Sequence, residues 1–454
     1  MKKILLTGFV ALSALATAQY SWIPQGTHLS TSFAVQTISI IDADNVWISV
    51  YDGSGAQTYP KVLAKTTNGG TTWTPQNVTG LTNQTGVMIS DVAAIDAQTA
   101  FIVTAPTGTN PAGNGIYKTT NGGTSWTQQT AYSNASFANQ IYFWNANEGF
   151  SAGDPVPVGG NFEIYRTVNG GTNWTPVTGP AAGDPDEYGY NADNKYVLGD
   201  HVWIGTSRGR LLHTANRGVT WDMISTPVQD YGGNIVAGSS GTFAWKDANN
   251  GICIAVDGGG TSVVMYYTDD AGGTWNPMDD LGLNGTWYWG DIAHVPGTNT
   301  YVTTGANPNG DDTWMGSAYS TDGGITWVSM GDEGQQRGTV SFLNNSTGWA
   351  GQFSDGPTGV TGILKFNGSF PLMAVKDVAT KSNLQIYPNP TSDIVNISSN
   401  NEVKSITIYD MSGKMVKTYA GAKEINISSL AKGNYVLQAH YANGGVENTK
   451  LIKK

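Results

Sequence analysis

The chain holds a single cysteine, Cys253, in 454 residues, so no internal disulfide is available and the fold must rest on packing. Charge is also scarce. Asp, Glu, Lys and Arg make up 13% of the chain, against about 25% in a typical soluble domain. The five histidines (His28, His201, His213, His294 and His440) show no paired spacing, so no zinc site is expected. There is no Gly-x-Ser-x-Gly elbow and no phosphate-binding glycine loop, which removes the common serine hydrolases and P-loop nucleotidases. No cofactor or metal is expected. Basic residues are the rarest charged class over most of the length: residues 19–370 carry 11 Lys and Arg against 28 Asp and Glu. That balance argues against nucleic acid and anionic membrane as partners. Residues 371–454 reverse it, with 10 basic against 6 acidic side chains.

The only long apolar run is at the start. Lys2 and Lys3 precede the apolar stretch from Ile4 to Leu15, and Ala16-Thr17-Ala18 supplies a small-residue cleavage site, so residues 1–18 are expected to be a secretory signal. The run is too short to span a bilayer, and no transmembrane span is expected after its removal.

Glycine, by contrast, is plentiful (59 residues), and Thr, Ser and Asn are common, a profile for short strands and tight turns. One phrase recurs. Thr66-Thr67-Asn68-Gly69-Gly70-Thr71-Thr72-Trp73 returns in the same frame ending at Trp126, Trp174, Trp221, Trp275 and Trp327. A seventh copy is divided: Trp22 carries its end, and Gly362-Ile363-Leu364-Lys365-Phe366-Asn367-Gly368 carries its beginning. The tryptophans stand 47 to 54 residues apart, a period that suits one four-stranded blade per repeat. The fold expected is all-β: a seven-bladed β-propeller over 19–370, closed by N- and C-terminal strands that share one blade. Residues 20–25 should therefore pair with 361–366.

The phrase resembles the Asp-box, or bacterial neuraminidase repeat. Its Asx residues (Asn68, Asn121, Asn169, Asn216, Asp270 and Asp322) can bond their own turn, its glycines accept a left-handed backbone, and its tryptophans (Trp73, Trp126, Trp174, Trp221, Trp275 and Trp327) pack beneath. These residues are expected to be scaffold. The resemblance extends over 19–370 to the photosystem II assembly-factor-like propellers, through Gly153-Asp154-Pro155 and Phe162-Glu163-Ile164-Tyr165-Arg166-Thr167, and it implies a single ring that binds protein. Sialidases of the Asp-box type need an arginine triad, and too few of Arg166, Arg208, Arg210, Arg217 and Arg337 are well placed for one. Asp-box xyloglucanases work between two propellers, and this chain has room for one.

After a linker at 371–383 a second pattern begins. Tyr387-Pro388-Asn389-Pro390, Ile408-Tyr409-Asp410-Met411-Ser412-Gly413-Lys414, Leu430-Ala431-Lys432-Gly433-Asn434-Tyr435-Val436-Leu437 and a basic terminus lie among alternating strands, which read as a small β-sandwich. Residues 384–454 closely resemble the type A C-terminal sorting domain of the type IX secretion system of Bacteroidetes. The resemblance implies that machinery as a partner and a final location at the cell surface or in the medium.

Ligand candidates fall on loops entering the innermost strands or joining second and third strands. The 280–291 loop holds Trp287, Tyr288, Trp289 and Asp291, and the 305–316 loop, expected on the next blade, holds Asp311, Asp312 and Trp314, so indoles and carboxylates of adjacent loops could together take a sugar. Asp154 and Asp230 are further candidates. The 178–196 loop, with Asp184, Asp186, Glu187 and Asp193, has oxygen ligands for Ca²⁺ but no complete calcium-loop pattern. The expected function is a non-catalytic binding module for protein or glycan. The alternatives are a glycoside hydrolase or lyase using two loop carboxylates, and an adhesin.

Overall fold

The computed structural model describes residues 20–56, 58–133, 136–192, 194–232, 239–258, 262–306, 314–373, 384–399, 401–410, 414–421, 423–442 and 446–454. The expected signal at 1–18, Asp193, Asp311, Asp312, the linker from 374 and Met411 to Gly413 lie outside the described residues. The chain divides into two compact units at Met373/Ala374. No helix among the described residues is long and apolar enough to cross a membrane.

In the first unit the described residues form seven sheets of antiparallel strands, in chain order in all but the sixth and the last. The first sheet runs Phe33–Ile40, Val46–Asp52, Val62–Thr66, Thr74–Asn77, and the second Val87–Ala94, Ala100–Pro106, Gly115–Thr119, Thr127–Ala131. Five more follow, with first strands at Ala138–Phe143, Lys195–Leu198, Ser240–Trp245, Asp291–His294 and Val340–Asn344. The sixth gains a short parallel strand, Asn284–Gly285, beside Thr326–Ser329.

The last sheet is completed by the beginning of the chain. Ser21–Gly26 pairs antiparallel with Gly362–Asn367, in the register Trp22 to Phe366 and Gly26 to Gly362. The divided repeat is thus one sheet, as the sequence led us to expect. Apolar packing follows the same order. Seven clusters each join a sheet to its successor, and one of them brings Trp349 and Ile363 of the last sheet against Val46, Ile48 and Trp73 of the first. First strands of all seven sheets line one cavity of about 670 Å³. The second strands are buried on both faces, as in Val46–Asp52 and Ala100–Pro106, which explains why they read as continuous apolar runs. Cys253 is among these fully buried residues.

The second unit has a three-stranded sheet (Gln385–Tyr387, Ile394–Ser398, Glu424–Asn426) and a four-stranded one in the order Met415–Ala420, Val403–Asp410, Gly433–Tyr441, Val446–Lys453. Val395, Ile397 and Ile425 of the first sheet share one core with Ile406, Ile408, Leu437 and Leu451 of the second. The alternation legible at Ile406/Ile408 is the inward face of that core.

Candidate functional site

Antiparallel sheets have two ends. One carries the joints between first and second strands and between third and fourth; the other carries the second-to-third joints and the passages from sheet to sheet. The Asp-boxes occupy the first end, and all six close in the same way. Thr66 Oγ1 donates to Asn68 Oδ1 (3.0 Å) and accepts the Gly70 N–H (2.8 Å), while Asn68 Oδ1 accepts the Thr72 N–H (2.9 Å). The same three bonds recur at Thr119/Asn121, Thr167/Asn169, Thr214/Asn216, Thr268/Asp270 and Ser320/Asp322. Asparagine substitutes for aspartate without loss because an amide oxygen accepts as a carboxylate does. Backbone N–H donors from Thr274 hold the Asp270 carboxyl below its usual range.

Two further devices at this end escaped the sequence reading. First-to-second joints repeat an Asx turn: Asp42 Oδ1 accepts the N–H of Asp44 and Asn45 (both 2.8 Å), and Asp96, Asn145 and Asp247 do the same for their own turns. Its signal was present as Asx-Ala in Asp42-Ala43, Asp96-Ala97, Asn145-Ala146 and Asp247-Ala248. Secondly, in four of the sheets a basic residue just before the box position ties the sheet to the next box. Lys65 Nζ donates to Gly122 O (2.8 Å), Lys118 Nζ to Gly170 O (2.7 Å) and Arg166 Nε to Arg217 O (2.8 Å). Lys365 Nζ donates to Gly69 O (2.6 Å), carrying the pattern from the last sheet to the first.

The other end has no such repetition, and its carboxylates serve individual purposes. Asp291 lies in a first strand, where it accepts from Ile292 N–H (2.7 Å), Val340 N–H of the next sheet (2.7 Å) and Thr242 Oγ1 of the preceding one (2.8 Å). Asp91, which sequence reasoning passed over, is its counterpart. It accepts from Val92 N–H (2.8 Å), from Ile141 N–H of the next sheet (2.9 Å) and from Lys195 Nζ, which also donates to Ile141 O (2.9 Å). Burial pushes the Asp91 carboxyl up, against the pull of Lys195. The shared string Asp-Val-Ala and Asp-Ile-Ala at 91 and 291 was the available signal.

Asp154 and Asp230 both hold the 178–196 loop. Asp154 Oδ1 accepts Asn139 Nδ2 (2.7 Å) and Gly189 N–H (3.1 Å), and burial raises its pKa to about 7. Asp230 is fully buried and accepts from Tyr190 Oη (2.6 Å). Within the loop, Glu187 is buried and receives Arg210, Thr206 Oγ1 (2.7 Å) and Gly183 N–H (2.7 Å). Asp184 pairs with Arg208 (3.0 Å). Among the described residues no group of three or more His, Cys, Asp or Glu is placed to hold a metal.

The tryptophan candidates converge. Trp289 lies 4.9 Å from Trp314 between ring centroids at 58°, and 6.4 Å from Trp287 at 73°. Tyr288, between the first two, is buried, whereas Trp287 and Trp289 are half-buried and Trp314 is 39% exposed.

Residues 385–454 match the family described as the secretion system C-terminal sorting domain. That tail directs export to the cell surface or beyond it, through the type IX system. Residues 318–329 match the BNR/Asp-box repeat. No curated protein matches the sequence. Among solved structures, YCF48 bound to D1 peptide is 19% identical with a TM-score of 0.51, covering 78% of this chain and 97% of that one. YCF48 from Cyanidioschyzon merolae is 17% identical, with coverage of 77% and 99% and a TM-score of 0.48. The GH74 enzyme of Niastella koreensis is 13% identical, with coverage of 91% and 76% and a TM-score of 0.42. The first likeness is one of fold, an all-β architecture of the propeller type.

Proposed function

We propose that the chain is an exported, closed seven-bladed propeller (19–370) whose loop end binds a protein or glycan without catalysis. In this reading 1–18 is the signal, 371–383 a linker and 384–454 the sorting domain. Seven described sheets, the one sheet shared by Ser21–Gly26 and Gly362–Asn367, and the Lys365–Gly69 bond support closure. The observation that carries the functional reading is the engagement of the loop-end carboxylates. Asp91, Glu187, Asp230, Asp291 and Asp332 each accept bonds that tie one strand or loop to another; Asp332 takes Arg337 Nε (2.9 Å) and Ser317 N–H (2.8 Å). Carboxylates so committed serve architecture better than acid–base chemistry, which needs a group facing the substrate. YCF48, the structural relative, binds a peptide.

One observation favours the hydrolase alternative. Asp154 has a pKa near 7, Oδ1 holds both its side-chain hydrogen bonds, and Oδ2 makes none among the described residues, so the carboxyl resembles a general acid. Incubating the full exported protein with a polysaccharide panel, and measuring both retention and released reducing ends, separates the two. Binding without release supports the module. Release that disappears in Asp154→Asn would overturn it. Removing 384–454 should abolish appearance in the medium while leaving periplasmic protein, and normal release would refute the sorting role.

A further inference from the structure

We propose that Trp287, Trp289 and Trp314 form a platform for a neutral polysaccharide. The inference rests on the binding-module reading and names its ligand class.

The indole nitrogens single out this site. Of the 15 tryptophans, Trp22, Trp73, Trp275 and Trp327 donate their N–H within the chain. The N–H groups of eight others (Trp47, Trp126, Trp144, Trp174, Trp203, Trp221, Trp245 and Trp349) are buried away from solvent. The remaining three are Trp287, Trp289 and Trp314. Their N–H groups have no acceptor among the described residues, they reach the surface, and they lie side by side.

The platform is also held rigidly. Tyr288 is buried beneath it, its N–H donating to Thr303 Oγ1 (3.2 Å). Its ring occupies space that only glycine leaves open: a Cβ on Gly316 would lie 2.5 Å from Tyr288 Oη, and one on Gly305 would lie 3.0 Å from Tyr288 Cβ. Gly290 N–H bonds Thr304 O (2.8 Å). Residues 288–290 are thereby fixed to the sixth sheet, against Gly305 and Gly316, which lowers the entropy lost when a ligand settles there.

Ring faces flanked by open donors match a pyranose, whose C–H face stacks on an indole while its hydroxyl and ring oxygens accept N–H bonds. A cationic peptide could meet the same donors through its backbone carbonyls, so a lysine-rich peptide is the competing ligand in the test below. Polyanionic glycans are disfavoured by charge: residues 19–370 carry 28 acidic against 11 basic side chains, Asp279 and Asp280 lie in the same connection, and Arg337 is already bound to Asp332.

The test is affinity electrophoresis of the full-length exported protein in gels containing hydroxyethylcellulose, galactomannan or, as the charged control, polygalacturonate. Retardation is expected in at least one neutral gel and not in polygalacturonate. Trp314→Ala and Trp289→Ala should each weaken it by about tenfold or more, Trp314→Phe by less, and Trp275→Phe at a box turn not at all. Trp289→Phe guards against misfolding, with thermal melts confirming that each variant is intact. No retardation in any neutral gel, or unchanged retardation in the folded Trp289 and Trp314 variants, overturns the platform. Capture of a lysine-rich peptide that is lost in those variants overturns the glycan assignment but leaves the binding module standing. Release of reducing ends instead sinks the non-catalytic reading.

Discussion

At one end of the sheets, six connections share an eight-residue frame and the same three hydrogen bonds. At the other, connections range from four residues (206–209) to fourteen (226–239) and, among the described residues, share no side-chain bonding pattern. The strands between are common to both, so the contrast isolates what the ends do. Repetition at the box end spreads stability over equivalent, separable units, four of which are tied to the next by a turn carbonyl. Individuality at the loop end concentrates it in unique bonds such as Glu187–Arg210, and leaves a few side chains uncommitted for recognition.

The largest effect should come from the loop end, where unique bonds concentrate stability. Asp91→Asn leaves the Lys195 ammonium buried without a full charge opposite it and should cost about 3–5 kcal/mol in chemical denaturation. Asp91→Asn with Lys195→Met should recover much of that loss. A double variant as unstable as the single one would show that the charge pair is not what holds these strands.

Next come the box hydroxyls. Thr119→Val strands the Gly123 N–H and should cost about 1–3 kcal/mol. The sharper expectation is equality: Thr66→Val, Thr167→Val and Thr268→Val should fall within about 0.5 kcal/mol of it, because distant and equivalent sites act independently. At the loop end, Arg208→Ala breaks a partly exposed pair and should cost about 0–1 kcal/mol. Widely scattered box values would break the comparison.

The box end was legible in the sequence for the same reason that it is repetitive. Each residue of Thr66-Thr67-Asn68-Gly69-Gly70 bonds within its own turn, so its job does not depend on distant sequence. The divided copy, Trp22 and Gly362 to Gly368, fixed the pairing of Ser21–Gly26 with Gly362–Asn367 because the phrase has a fixed frame. Loop-end chemistry was legible only as residue type. Asp291, Asp154 and Asp230 were seen as carboxylates near a ligand, yet their partners, Val340, Gly189 and Tyr190, are set by the long-range meeting of separate segments. Trp289 and Trp314 were expected on neighbouring blades, but both belong to the sixth sheet and converge because their loops flank adjacent strands of it.

Acid should act oppositely on the two ends. His294, at the box end of its strand, is buried, and burial lowers its pKa to about 4 while Nε2 faces Thr298 O (2.9 Å). A depressed histidine binds fewer protons folded than unfolded, so its contribution is present above about 6.5 and is lost as pH falls toward 4. Asp154 has the opposite sign. With a pKa raised from 3.8 to about 7, its contribution is present below the unfolded value and is lost as pH rises through 7. Between about pH 4 and 6.5 the two slopes have opposite sign and offset each other. In melting curves from pH 4 to 8, His294→Phe should leave stability falling as pH rises toward 7, and Asp154→Asn should leave it rising toward 6.5. If either variant leaves the slope in that window unchanged, the assignment fails.

The smallest effect is a gain. The second central residue of the box turn is left-handed in every copy, and four copies use glycine there, Gly69, Gly122, Gly170 and Gly323. Arg217 (φ 54°) and Ala271 (φ 62°) do not, and a Cβ in that region costs about 1–2 kcal/mol. Arg217 has compensation in its pairs with Glu148 and Asp200. Ala271 has none of that kind, so Ala271→Gly should raise stability by about 0.5–1 kcal/mol, after the greater entropy of glycine in the unfolded chain is subtracted. Arg217→Gly should gain less or lose, because it gives up both ion pairs. If the two substitutions behave alike, backbone strain is not what distinguishes the copies, and the equivalence of the six turns extends even to residues that differ.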